Sequence, residues 1–167
     1  MESMSSTHLG ELAKKAVELL TERGLTVSCA ESCTGGLLSA ALTSVPGASV
    51  VYCGGCVTYT DEIKHRVLGV RRKSLKLHGA VSPQVAAEMA VGMHERLATD
   101  YALSITGYAG PDGGSDKDPV GTVYIGISGF DHTKVVRMAD PSTASRDTIR
   151  EDAVARALRL LIEVAGA

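Results

Sequence analysis

Apolar positions recur along the chain in two rhythms. Between His8 and Arg23, Leu9, Leu12, Ala13, Ala16, Leu19 and Leu20 fall at three- and four-residue spacing, which predicts a helix with one buried face, ended by Gly24. Leu25–Cys29 is a short apolar, β-rich run and predicts a strand. A helix is expected from Thr34 or Gly35 to Ser44, stopped by Pro46-Gly47. Val50–Thr58 reads as a buried strand interrupted by Gly54-Gly55, which suggests a bulge or a close backbone approach. Thr60 has the form of an N-cap for a helix over Asp61–Leu68, with two acids in its first turn and Gly69 at its end.

Ser82-Pro83, a cap followed by proline at the first helical position, starts a helix reaching about Ala98. Tyr101–Thr106 is a strand and Gly107–Pro119 a glycine-rich loop. Val120–Ser128 and Thr133–Met138 are two strands joined by a short turn, a hairpin in outline. Ser145–Val164 closes the pattern as a long amphipathic helix. The order α-β-α-β-α-α-β-loop-β-β-α contains no internal repeat or low-complexity linker. Helices between the early strands imply parallel pairing, and the hairpin adds an antiparallel member. The expected fold is an α/β three-layer α/β/α sandwich with a mixed, mainly parallel sheet, formed by residues 1–167 as a single domain.

Composition narrows the function without naming it. Hydrophobic residues make up 44% and charged residues 22%, as in an ordinary soluble domain, and the formal net charge of −2 gives no electrostatic case for nucleic acid or an anionic membrane. Aromatics are 4% with no Trp, which argues against a base-stacking platform. No apolar run approaches the roughly 20 residues that span a bilayer. Met1–His8 lacks the charged and apolar regions of a signal peptide, so a cytoplasmic location is expected.

Candidate chemistry begins at Ala30-Glu31-Ser32-Cys33-Thr34-Gly35-Gly36, where a strand runs into a helix. A small-residue junction there turns the backbone sharply and aims free N–H groups at whatever binds. Ser32 at such a point can act as a nucleophile, with N–H groups of Cys33, Thr34, Gly35 and Gly36 as an oxyanion site. Cys33 is a rival nucleophile, because a thiol at a helix N-terminus is activated.

The five histidines are scattered, so a base for Ser32 comes from elsewhere. Tyr59 ends a strand and Lys64 lies in the first turns of the next helix, where the helix dipole and burial would both favour a neutral amine. The alternative for Lys64 is a surface lysine paired with Asp61 or Glu62. Gly107–Pro119 follows another strand and could cradle an anion. Arg146 and Arg150, opening the last helix, can hold a phosphate or merely decorate a solvated turn. Cys29, Cys33, Cys53 and Cys56 superficially resemble a zinc set but sit in apolar β-like segments, and buried reduced thiols are the favoured reading. The dinucleotide fingerprint, the phosphate loop, the G-x-S-x-G elbow and H-E-x-x-H are all absent.

Six segments taken in order resemble the CinA C-terminal domain family, whose stand-alone members are nicotinamide mononucleotide deamidases. They are AESCTGG at Ala30–Gly36, GG-x-VTY with a following lysine at Gly54–Lys64, GAVS at Gly79–Ser82, TGYAGPDGG at Thr106–Gly114, PVGTVYI at Pro119–Ile125 and SRDTIR at Ser145–Arg150. The resemblance covers about residues 8–165 and is weakest over Gly113–Pro119 and Ala139–Ala144. It implies hydrolysis of the carboxamide of nicotinamide mononucleotide to nicotinic acid mononucleotide and ammonia, with no metal or cofactor. It also implies Ser32 as nucleophile, Lys64 as base, Tyr59 as a helper in proton transfer or positioning, and substrate binding by Thr106 and Arg146. Gly107, beside Thr106, is included with the substrate-binding residues. The partner is then a small-molecule nucleotide, and assembly as a homo-oligomer is expected. The alternative is a non-catalytic nucleotide-binding module of the competence and damage-inducible type.

Overall fold

The computed structural model describes residues 4–141 and 143–167, so part of the stretch weighed for a leader lies outside the described residues. The elements are α1 (Met4–Arg23), β1 (Val27–Glu31), α2 (Leu37–Thr43), a single 3-10 turn (Ala48–Val50), β2 (Tyr52–Val57), α3 (Asp61–Leu68), α4 (Arg72–His78), α5 (Pro83–Leu97), β3 (Tyr101–Gly107), β4 (Thr122–Gly129), β5 (His132–Ala139) and α6 (Arg146–Gly166). The strands form one sheet in the order β2-β1-β3-β4-β5. The β2-β1 and β1-β3 pairs are parallel, and the β3-β4 and β4-β5 pairs are antiparallel. Four of the five described strands therefore run the same way, and only β4 opposes them.

Side-chain alternation builds the two faces. Val27 and Cys29 of β1, Leu103 and Ile105 of β3, and Val123, Ile125 and Ile127 of β4 pack with apolar residues of α1, α2 and α6. Ala30 and Ala102 point the other way, against Val85, Met89 and Met93 of α5 and Leu68 at the end of α3. Both faces of β1, β3 and β4 are thus covered, and these strands are buried almost throughout. Two close approaches set the depth of α5. A Cβ on Gly126 would stand 2.7 Å from the Ala86 carbonyl oxygen, and one on Gly92 would stand 1.9 Å from that of Leu68.

Local signals account for most of the element ends. Thr60, Ser82 and Ser145 each accept a hydrogen bond from the N–H three residues on, capping α3, α5 and α6. Phe130 and Asp131, both at positive φ, form the two-residue turn between β4 and β5. Several boundaries depart from the sequence reading, and β1 runs over Val27–Glu31, two residues beyond the expected Leu25–Cys29. The residues 32–36 form a turn rather than a first helical turn, so α2 starts only at Leu37. Val50 belongs to the 3-10 turn and Val120 precedes β4. Helix α4 has no counterpart in the hydrophobic pattern.

The carboxyl ends of β1, β2 and β3 share one edge of the sheet, where open α/β sheets place their ligands. Ser32, Thr58 with Tyr59, and Tyr108 are the first residues beyond those ends.

Candidate active site

Glu31, fully buried at the end of β1, shapes the turn that carries Ser32. One carboxylate oxygen accepts from Thr34 Oγ1 (2.6 Å) and from the N–H groups of Gly36 (3.1 Å) and Leu38 (3.0 Å). The other accepts from the Ser39 N–H and hydroxyl, both at 2.8 Å. Gly36, the residue before α2, has no side chain to cap the helix, and Glu31 does so from five residues upstream. Gly35 and Gly36 take φ values of 58° and 105°, which a residue with a Cβ adopts only with strain. The Ser32 N–H continues the β1-β3 ladder, donating to the Ile105 carbonyl at 3.0 Å.

Lys64 reaches this turn from α3. Its Nζ lies 2.9 Å from Ser32 Oγ, 2.8 Å from the Thr58 carbonyl and 3.1 Å from the Tyr59 carbonyl. The side chain is 1% exposed, and among the described residues no carboxylate lies within ion-pair distance of it. Burial lowers its pKa from the ordinary lysine value, with Asp61 and Cys33 pulling weakly the other way. The three neighbours also suit a neutral amine. An ammonium here donates to all three oxygens, whereas a neutral amine donates to the two carbonyls and accepts from the Ser32 hydroxyl.

The neighbouring thiol has the opposite character. Cys33 is buried in the apolar cluster under α6, and burial pushes its pKa up to about 11 despite the Lys64, Arg146 and Arg150 charges. At neutral pH it is a protonated thiol, a poor nucleophile. The four cysteines are free, and among the described residues no three His, Cys, Asp or Glu side chains are grouped to hold a metal ion.

The remaining candidates ring the same edge in different roles. Arg146 is exposed, donates to the Gly110 carbonyl, and places Nη2 3.2 Å from the Tyr59 hydroxyl. Tyr59 therefore meets Lys64 through its carbonyl and Arg146 through its ring. Thr106 lies one step beyond the paired residues Glu31 and Ile105 and donates to the Ala80 carbonyl at 2.9 Å. Gly107 makes room for β4, since its Cβ would meet the Val123 side chain at 2.6 Å. The turn uses two of its four N–H groups internally. Gly35 donates to the Ser32 carbonyl and Gly36 to Glu31, so only those of Cys33 and Thr34 have no oxygen acceptor among the described residues. Arg150, read as holding a phosphate or decorating a solvated turn, instead donates to the Cys33 and Thr34 carbonyls. The structuring parts of Glu31 and Arg150 were not read from sequence. An acid closing a buried strand just ahead of a Ser-Gly-Gly turn is the signal for the first, and nothing local signals the second.

A family model described as the CinA C-terminal domain matches residues 9–165, nearly the whole chain. The chain belongs to that family. It is 41% identical over 158 residues to the nicotinamide-nucleotide amidohydrolase PncC of Escherichia coli K12, covering 95% of each chain. It is 44% identical over 147 residues to a CinA-like protein of Parasynechococcus marenigrum, covering 88% of this chain and 35% of that one. The chain spans 28% to 35% of the length of the first curated relatives that it matches. Among solved structures, the competence/damage inducible protein CihA of Agrobacterium tumefaciens superposes with a TM-score of 0.91 at 40% identity, covering 96% of both chains. The CinA-family sandwich thus carries the Ser32–Lys64 pair at the edge where its parallel strands end. None of its described helices is long and apolar enough to cross a membrane.

Proposed function

We propose that this chain is an amidohydrolase that converts nicotinamide mononucleotide to nicotinic acid mononucleotide and ammonia through a Ser–Lys acyl-enzyme. The observation that carries the proposal is the 2.9 Å approach to Ser32 Oγ of a buried lysine amine that has no counter-ion among the described residues. The substrate is taken from the likeness to the E. coli enzyme over 95% of both chains. An acyl-enzyme suits an amide because it divides one difficult displacement into two easier ones.

In the first half, Ser32 Oγ bonds to the carboxamide carbon as its proton passes to Lys64 Nζ. The carbonyl oxygen becomes an oxyanion facing the Cys33 and Thr34 N–H groups. The C–N bond then breaks, the nitrogen takes the proton from Lys64, and ammonia leaves an ester on Ser32. In the second half, water attacks that ester and gives a proton to Lys64, and Ser32 Oγ departs with that proton. The acid product ionises in solution. Arg146, with three N–H donors that have no partner among the described residues, supplies a positive charge for the nucleotide phosphate. Tyr59 holds Arg146 in place. The protein works in the cytoplasm and assembles as a homo-oligomer in this reading.

The test is ammonia release from nicotinamide mononucleotide by the purified chain, compared with Ser32→Ala. Ser32→Ala is expected to fold and to lose turnover, with trapped acyl-enzyme found by mass spectrometry on Ser32 of the parent. A folded Ser32→Ala protein with full turnover overturns the nucleophile. Tight nucleotide binding with no turnover by the parent would favour the binding-module reading.

A further inference from the structure

Arg150 takes part in no step above, yet it grips the turn behind the nucleophile. Its Nε donates to the Cys33 carbonyl and its Nη2 to the Thr34 carbonyl, each at 3.1 Å, across 117 and 116 residues of chain. A trans peptide is planar, and its C=O and N–H point in opposite directions. A carbonyl turned toward Arg150 therefore turns the next residue's N–H away from it. For the Thr34–Gly35 peptide that N–H belongs to Gly35, and it reaches the Ser32 carbonyl at 3.0 Å. For the Cys33–Thr34 peptide it belongs to Thr34, which has no acceptor among the described residues. The Ser32–Cys33 peptide is fixed in the same manner by the Gly35 bond to its carbonyl, which turns the Cys33 N–H the other way, where its own thiol is the neighbouring acceptor. Two N–H groups with no oxygen acceptor among the described residues thus follow the serine directly, while the serine's own is held by Ile105.

We propose that Arg150 is the positioning residue of the oxyanion site. By holding the Cys33 carbonyl it keeps the Thr34 N–H turned toward the acyl oxygen of a substrate on Ser32. Its positive charge also polarises both gripped peptides, which strengthens their N–H groups as donors. Without the grip, the Cys33–Thr34 peptide is free to rotate and to put a carbonyl where the oxyanion needs a donor. A glutamate-backed turn alone does not prevent this, because Glu31 holds Thr34 Oγ1, Gly36 and α2 and the Leu37 N–H holds the Thr34 carbonyl, whereas the Cys33 carbonyl has no donor but Arg150 among the described residues. The inference rests on Ser32 being the nucleophile.

Arg150→Ala and Arg150→Lys in the full chain test it, with Arg159→Gln as a control. Arg159 sits on the same helix and contacts His8 rather than the turn. Two reactions are followed: ammonia release from nicotinamide mononucleotide, and the acylation burst of Ser32 with p-nitrophenyl acetate. Arg150→Ala is expected to lower kcat about 10²-fold with KM within about threefold, and to slow the burst comparably. Arg150→Lys should fall between, added ethylguanidinium should restore part of the Arg150→Ala rate, and Arg159→Gln should match the parent. An Arg150→Ala protein with the parental kcat and burst overturns the proposal. So does a loss carried wholly in KM, or one that tracks a lowered Tm and ignores ethylguanidinium. If the parent shows the burst but releases no ammonia, the proposed substrate fails and the burst alone judges Arg150. A parent with neither reaction overturns the nucleophile and this inference together.

Discussion

Replacing Lys64 with methionine removes one ionisable group while keeping a side chain of similar length in its slot. In the native chain, burial holds that amine below the ordinary lysine value of 10.5; on unfolding it returns to that value. Between the two pKa values the unfolded chain binds a proton that the native chain does not. Stability then rises with pH, by at most about 1.4 kcal/mol per pH unit for one proton. Below the folded pKa the penalty is at its full size, and above 10.5 it has vanished. Lys64→Met lacks this dependence, so the parent-minus-variant difference in unfolding free energy should climb with pH through that window.

The raised thiols of Cys29 and Cys56 titrate in both proteins and cancel in the difference, and making the comparison in a Cys33→Ala background removes the one thiol that Lys64 itself perturbs. Urea unfolding at a series of pH values measures the slope. The same pKa should set the acid limb of kcat/KM, since only the neutral amine can take the Ser32 proton, and Lys64→Met should lose about 10²- to 10⁴-fold in kcat. A difference that stays flat with pH would mean the native amine keeps its proton, and the general-base role would fall with it.

Glu31→Gln keeps one carboxamide oxygen but turns an NH₂ toward backbone N–H groups, which only donate; it should lose about 2–3 kcal/mol in urea unfolding and most of the turnover. Gly92→Ala must move α5 off the Leu68 carbonyl, which a Cβ would approach at 1.9 Å, and should lose about 1–3 kcal/mol with KM unchanged in what activity remains. Arg146→Ala removes a charge-assisted contact worth about 1.5–3 kcal/mol and should raise KM about 10- to 100-fold at nearly constant kcat, read from initial rates of ammonia release.

Patterns that act within a few residues were legible in the sequence. The caps at Thr60 and Ser82, and the strand followed by a lysine-bearing helix, each rest on near-neighbour contacts. Helix α4 was not legible, because its start is held from another helix. Glu88 of α5 accepts from the Arg71 N–H at 2.7 Å, from the Ser74 hydroxyl, and from the Arg71 guanidinium. A cap supplied 17 residues downstream leaves no local signature. The same limit hid the work of Arg150, whose composition and place suited a phosphate equally well. It also blurred the start of α2, where two glycines in left-handed conformations stand where helix was expected.

The grip between α6 and the serine turn has a consequence for how the protein comes into being. Residues 33 and 34 leave the ribosome more than a hundred residues ahead of the arginine that fastens them. Through most of translation the Cys33 and Thr34 carbonyls therefore lack that arginine, and under the proposed mechanism chemical competence is among the last properties the chain acquires.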